Sequence, residues 1–166
     1  GWTAPMRLDT SLIDYRYEGA SANMKGRTSL QSFHLPRPIR LALLWASMMF
    51  LYVYNDYFAM YLPGTIEDMS ASRIGPLGEA TAAVLLGVAV LMTIPALMVF
   101  LSAGLPPVFS KWLNVGFGAA YTLVNVATFF GSALFYQFIV SVEVVVSVFI
   151  VVSALTWPKT SSIPAE

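Results

Sequence analysis

Four stretches of this chain contain no Asp, Glu, Lys or Arg: Leu41 to Asn55, Ala80 to Ala103, Trp112 to Val142 and Val144 to Pro158. A helix needs about 20 mainly apolar residues to cross roughly 30 Å of hydrocarbon at about 1.5 Å of rise per residue. The first stretch must therefore continue past Asp56, which puts a span at about 39–62. A second span covers about 79–101 and stops before Gly104, Pro106 and Pro107, which punctuate a short loop. Trp112 to Trp157 is too long for one crossing and suits two, at about 112–131 and 134–157, with Gly131 and Ser132 as the break. The pattern predicts an all-α fold, a four-transmembrane-helix bundle over 39–158, preceded by a polar N-terminal arm at 1–38 and followed by a short tail at 159–166.

Composition agrees with that reading. The 166 residues are 57% hydrophobic and 11% charged, against about 45–50% and about 25% in a soluble domain. Nine basic residues balance nine acidic ones, so the chain lacks the positive field that nucleic-acid binding relies on. With no cysteine, a disulfide framework, a thiolate zinc site, an iron–sulfur cluster and a cysteine nucleophile are excluded. A lone histidine, His34, argues against a multi-histidine metal site, so no metal is expected. There is no phosphate-binding glycine loop, nucleophile elbow, paired helical histidines or arginine ladder, and catalysis is not expected.

The arm carries Arg7, Asp9, Asp14, Arg16, Glu18, Lys25, Arg27 and Arg37 without an apolar core, so a secretory signal peptide is not expected there. Such a composition favours disorder in isolation, and Leu8, Leu12, Ile13, Tyr15 and Tyr17 suit a membrane surface or a partner. Basic residues near the span ends set orientation. Arg37, Arg40, Lys111, Lys159 and the basic residues of the arm fall on one side, and only Arg73 falls on the other. Both termini are therefore expected in the cytoplasm, in a bacterial inner (plasma) membrane. Trp112 and Trp157 mark the inner interface, Tyr61 and Tyr136 the outer one, and Pro63 to Gly78 forms an outer loop with Glu67 and Asp68.

Polar groups within spans must face other helices or a wet cavity. Asn114, Gly118, Tyr121, Asn125, Thr128 and Ser132 recur at steps of four, three, four, three and four, one continuous helical face. Span four aligns Tyr136, Glu143, Ser147 and Ala154, and span one aligns Trp45, Met49, Tyr52 and Asp56. Counting rise per residue from the outer end places Asp56 roughly 8 Å, Asn125 roughly 10 Å and Glu143 roughly 14 Å deep. A cluster of Asp56, Glu143, Asn125, Tyr121 and Tyr52 follows, without a basic residue at that depth. A bare charge is costly in low dielectric, so Glu143 is expected neutral, donating to Asn125 or Tyr121. Such a cluster reads as an interhelical clamp or as a site for a ligand, a cation or a proton.

Span two has small residues and a proline in place of a polar stripe. Ala83 and Gly87 form a small-xxx-small pair suited to close helix approach. Pro95 cannot donate to the Leu91 carbonyl and is expected to kink the helix, with Thr93 partly satisfying the freed backbone. The two halves do not repeat, so an inverted-repeat transporter within one chain is not expected.

From about Ile39 to Trp157 the chain resembles a group of small four-span microbial membrane proteins carrying a domain of unknown function. The likeness rests on Tyr54 and Asp56, on Pro63 and Gly64, on Met92, Thr93, Ile94 and Pro95, on Lys111, Trp112 and Asn114, and on Glu143. It implies the topology and leaves cofactors unassigned. The function expected is a non-catalytic binding or assembly subunit of a membrane complex, in contact with lipid and with its own copies or a larger partner. The alternative is a small proton-coupled transporter or channel using Asp56 and Glu143. A weaker one is a membrane enzyme or quinone-associated subunit with Trp45, Tyr52 and Tyr121 around an apolar pocket.

Overall fold

The structure is a computed structural model and describes residues 34–130 and 132–158. The arm up to residue 33, Gly131 of the expected hairpin break and the 159–166 tail lie outside the described residues. Those described are mostly helical, with five helices.

Helix α1 (Arg37–Ala59) opens on Pro36, Arg37 and Pro38, where a fixed φ suits a first turn whose amides have no intrahelical acceptor. After it, Gly64 takes a φ of +88° and begins the short helix α2 (Thr65–Ser70). This is a backbone shape that costs a residue with a Cβ. Glu67 and Asp68 sit in the first turn of α2, where the helix dipole favours acids. A two-residue antiparallel hairpin follows, β1 (Arg73–Ile74) and β2 (Gly78–Glu79), with Arg73 opposite Glu79 and a 3-10 turn at Gly75–Leu77 between them. Strands this short carry no readable alternation, which is why the sequence offers only a loop here.

Helix α3 (Ala82–Gly104) is capped by the Thr81 side chain, which accepts from the Val84 amide at 3.3 Å. Helix α4 (Pro107–Phe129) starts on Pro106 and Pro107. The residues read as loop punctuation thus also serve as the helix start, several positions ahead of Trp112. Helix α5 (Leu134–Leu155) completes the described chain.

The helices turn most of their amide and hydroxyl side chains inward, with a few apolar ones, and leave many aliphatic and phenylalanine side chains outward. Helix α1 buries Leu41, Trp45, Met48, Tyr52 and Asn55; α4 buries Ser110, Asn114, Gly118, Tyr121 and Asn125; α5 buries Glu143 and Ser147 among apolar neighbours. Outside lie Phe50, Leu86, Phe100, Leu123 and Phe138, each at least 65% exposed. Helices α3 and α5 are long and apolar enough to cross a membrane, and only 11% of the apolar window of α3 is buried within the protein.

Helices α4 and α5 pack closely along their length, and α1 packs on α3 and α5. Between α1 and α4 the backbones stand apart, and the gap is filled by Trp45, Tyr52 and Tyr121. At the far end of α5, the Arg37 guanidinium donates to the Ser153 carbonyl at 3.3 Å and to Thr156 Oγ1 at 3.0 Å, and Lys111 Nζ donates to the Leu155 carbonyl at 3.4 Å. These two cations meet carbonyls that have no partner within their own helix and complement its negative end.

The Ala83 and Gly87 pair does not join helices. Both residues face outward, and nothing lies within 4 Å of a Cβ placed on Gly87. The close approach is at Gly118, where a Cβ would stand 2.9 Å from Val151 Cγ2 and 3.1 Å from Ile150 Cγ2. Both neighbours are β-branched and stiff. Gly118→Val is expected to lower the unfolding free energy by about 1–3 kcal/mol through overpacking, while Gly87→Val leaves it within about 0.5 kcal/mol. Thermal melts of the two variants in detergent check this contrast.

Candidate functional site

The buried stripe of α1 advances by four, three, four and three from Leu41 to Asn55, so it ends on Asn55 and not on Asp56. One residue further along a helix is about 100° round it. Asp56 accordingly lies on the exposed flank while Asn55 is 3% exposed, and Met49 is only half-buried beside the fully buried Met48. The α4 face also ends earlier than expected, since Asn125 is buried but Thr128 is exposed.

Four residues of α1, α4 and α5 form the interior polar cluster. The Tyr52 hydroxyl donates to Asn125 Oδ1 at 3.0 Å within the protein. Asn55 is buried one turn along α1 from Tyr52, and α1 packs on α5, the helix that carries Glu143. Glu143 is 2% exposed. Asn125 and Tyr121 were the expected acceptors for Glu143. Instead Asn125 Oδ1 is engaged by Tyr52, and the Tyr121 hydroxyl turns to the Leu91 carbonyl on α3. Asn55 is the member that sequence reasoning passed over. Its signal was the uninterrupted alternation of four and three beginning at Leu41.

Leu91 is the residue whose carbonyl Pro95 leaves without a partner. Helix α3 nevertheless runs unbroken through Pro95, which is itself buried. Thr93 does not supply the missing donor, because its hydroxyl bonds to the Ala89 carbonyl at 2.7 Å. Tyr121 supplies it from the neighbouring helix. Its ring meets Trp45 edge-on at a centroid distance of 5.7 Å and Tyr52 at 6.3 Å. These three aromatics therefore fill a solid core and do not line an open apolar pocket.

A second polar network ties the opposite end. Asn114 Oδ1 accepts from Trp45 Nε1 at 2.7 Å and from Ser102 Oγ at 3.0 Å, and Asn114 Nδ2 donates to the Ser110 carbonyl at 2.8 Å. Ser110 Oγ closes the circuit on the Ser102 carbonyl at 2.9 Å. Every polar group of this network is paired, which makes it a clamp across α1, α3 and α4. Between the two ends, Thr122 Oγ1 and Ser147 Oγ approach to 2.9 Å.

Beyond these clusters, a surface groove of about 1050 Å³ runs along Phe58, Tyr61, Phe129, Phe135 and Phe138, apart from the buried polar residues. Among the described residues, no group of three His, Asp or Glu side chains is placed to hold a metal ion.

Fold and site together define a mostly helical protein that buries amides, hydroxyls and one carboxyl while exposing aliphatic and aromatic side chains. The chain belongs to a family of unknown function (DUF6326), whose model matches residues 30–163. The match thus starts ahead of Ile39, taking in the last part of the arm. No curated protein and no solved structure matches the chain.

The pairing of Tyr121 with the carbonyl freed by Pro95 has a measurable consequence. Tyr121→Phe leaves a buried acceptor unpaired and is expected to cost about 1–3 kcal/mol. In a Pro95→Ala background residue 95 regains its amide, so there the same change is expected to cost under about 1 kcal/mol. A double-mutant cycle measured by denaturant titration decides it, and equal costs in the two backgrounds contradict the assignment.

Proposed function

We propose that the chain is a four-span integral membrane protein of the bacterial inner membrane, with α1, α3, α4 and α5 as spans and both termini cytoplasmic. We further propose that it acts without catalysis, as a binding or assembly subunit. The observation that carries this reading is the inversion of polarity. Side chains such as Phe100 at 73%, Phe138 at 71% and Leu134 at 84% exposure need an apolar medium over far more surface than a soluble monomer leaves open. Lipid meets that need on most faces, and a partner or further copies of the chain meet it on the rest. Helices α1 and α4 are less apolar because they carry the inward stripes, a pattern suited to spans that face other spans.

Binding is favoured over transport by what lies below the Glu143 cluster. Leu41, Trp45, Met48 and Ile150 are fully buried and Tyr121 nearly so. They form an aliphatic and aromatic plug where a single-chain carrier needs a polar path. The carrier reading draws its support from Glu143, a buried carboxyl with an oxygen unpartnered among the described residues, and an oligomer is the arrangement in which that group serves a path.

Mass measurement after mild detergent extraction from the native membrane separates the two. A stable heteromeric complex is the expected outcome. A lone homo-oligomer whose reconstituted vesicles show acid-driven flux, abolished by Glu143→Gln, would replace the subunit reading with the carrier one. Topology is accessible independently because the chain has no cysteine. In intact cells a membrane-impermeant maleimide is expected to label Ser70→Cys, between α1 and α3, and to label Val108→Cys only after permeabilisation. The reverse pattern inverts the orientation.

A further inference from the structure

Among the described residues, three interior side-chain atoms have no hydrogen-bond partner: Asn55 Oδ1, Asn125 Nδ2 and Glu143 Oε1. Their residues are 2–3% exposed, and buried polar groups are seldom left unpaired. The three residues converge. Helix α1, which carries Asn55, packs on α5, which carries Glu143. On the antiparallel pair α4 and α5, Gly118 faces Ile150 and Val151, and Thr122 faces Ser147. One more turn in the same register brings Asn125 level with Glu143. Tyr52, one turn from Asn55 on α1, donates to Asn125 Oδ1, which fixes Nδ2 as the free end of that amide.

The unpaired set is two acceptors and one donor, and this inventory selects the guest. A bare cation satisfies the oxygens but meets the positive end of the Asn125 amide, and an ammonium group likewise leaves that donor unpaired. An anion suits Asn125 and is repelled by the carboxyl oxygen. We propose that Asn55, Asn125 and Glu143 bind one internal water molecule, which donates to Asn55 Oδ1 and Glu143 Oε1 and accepts from Asn125 Nδ2. Three protein partners is the usual complement of a buried water. The water joins α1, α4 and α5 at a level where they share no complete direct network, and it goes beyond the subunit reading in giving Glu143 a hydrogen-bonding neighbour that can exchange.

The test uses the unaltered full chain in lipid bilayers and transfer of magnetisation from water to side-chain carbons in solid-state NMR. Asn114 is the internal control, since it is fully buried and all its polar groups are paired. The expected result is that Asn55 Cγ, Asn125 Cγ and Glu143 Cδ gain water magnetisation several-fold faster than Asn114 Cγ. Build-up as slow as that of Asn114 overturns the proposal. Shifts of the same three signals when sodium chloride is exchanged for choline chloride at equal ionic strength also overturn it, in favour of a cation site.

Discussion

A proline in the middle of a helix creates a carbonyl that its own helix cannot serve. Here that carbonyl belongs to Leu91, and its donor is the hydroxyl of Tyr121. Much of the interior geometry depends on this contact. To reach Leu91, Tyr121 must lie between α1 and α3, and its ring then becomes the surface on which Trp45 and Tyr52 pack. Those two side chains in turn hold Asn114 and Asn125, one turn or two to either side of Tyr121 on the same helix. The contact thus sets how far apart α1 and α4 stand and which of their polar groups can meet.

The two ends of the interior are built differently. Around Asn114 every donor and acceptor is used, and a closed network of that kind rigidifies. Around Glu143 the pairing is incomplete. Stability and adaptability are therefore segregated along the helix axes, with the aromatic plug of Trp45 and Tyr121 between them. A group intended for binding is expected at the incompletely paired end, because there a guest replaces missing protein partners without displacing existing ones.

Much of this was readable in the residues themselves. A helix repeats every 3.6 residues, so the inward placement of Asn114, Gly118, Tyr121 and Asn125, and of Glu143 with Ser147, follows from spacing alone. The choice between Asn55 and Asp56 did not, because after Tyr52 a step of three and a step of four are both helical, and the carboxylate attracts the eye. The orphan carbonyl at Leu91 was legible from Pro95, whereas its partner was not, since Thr93 was the nearer candidate and Tyr121 reaches it only through tertiary packing. Small residues misled for a related reason. Ala83 and Gly87 permit close approach without requiring it, and the neighbour that uses a missing Cβ is found at Gly118.

The contacts at the carboxyl end of α5 bear on how distant parts of the chain are held together. Arg37 lies at the start of α1 and Lys111 in the first turns of α4, yet both find acceptors on α5. The same helix supplies Ile150 and Val151, against which Gly118 of α4 is seated. Helix α5 is consequently a common strut, joining the start of α1 to the start of α4 although 74 positions of sequence separate Arg37 from Lys111.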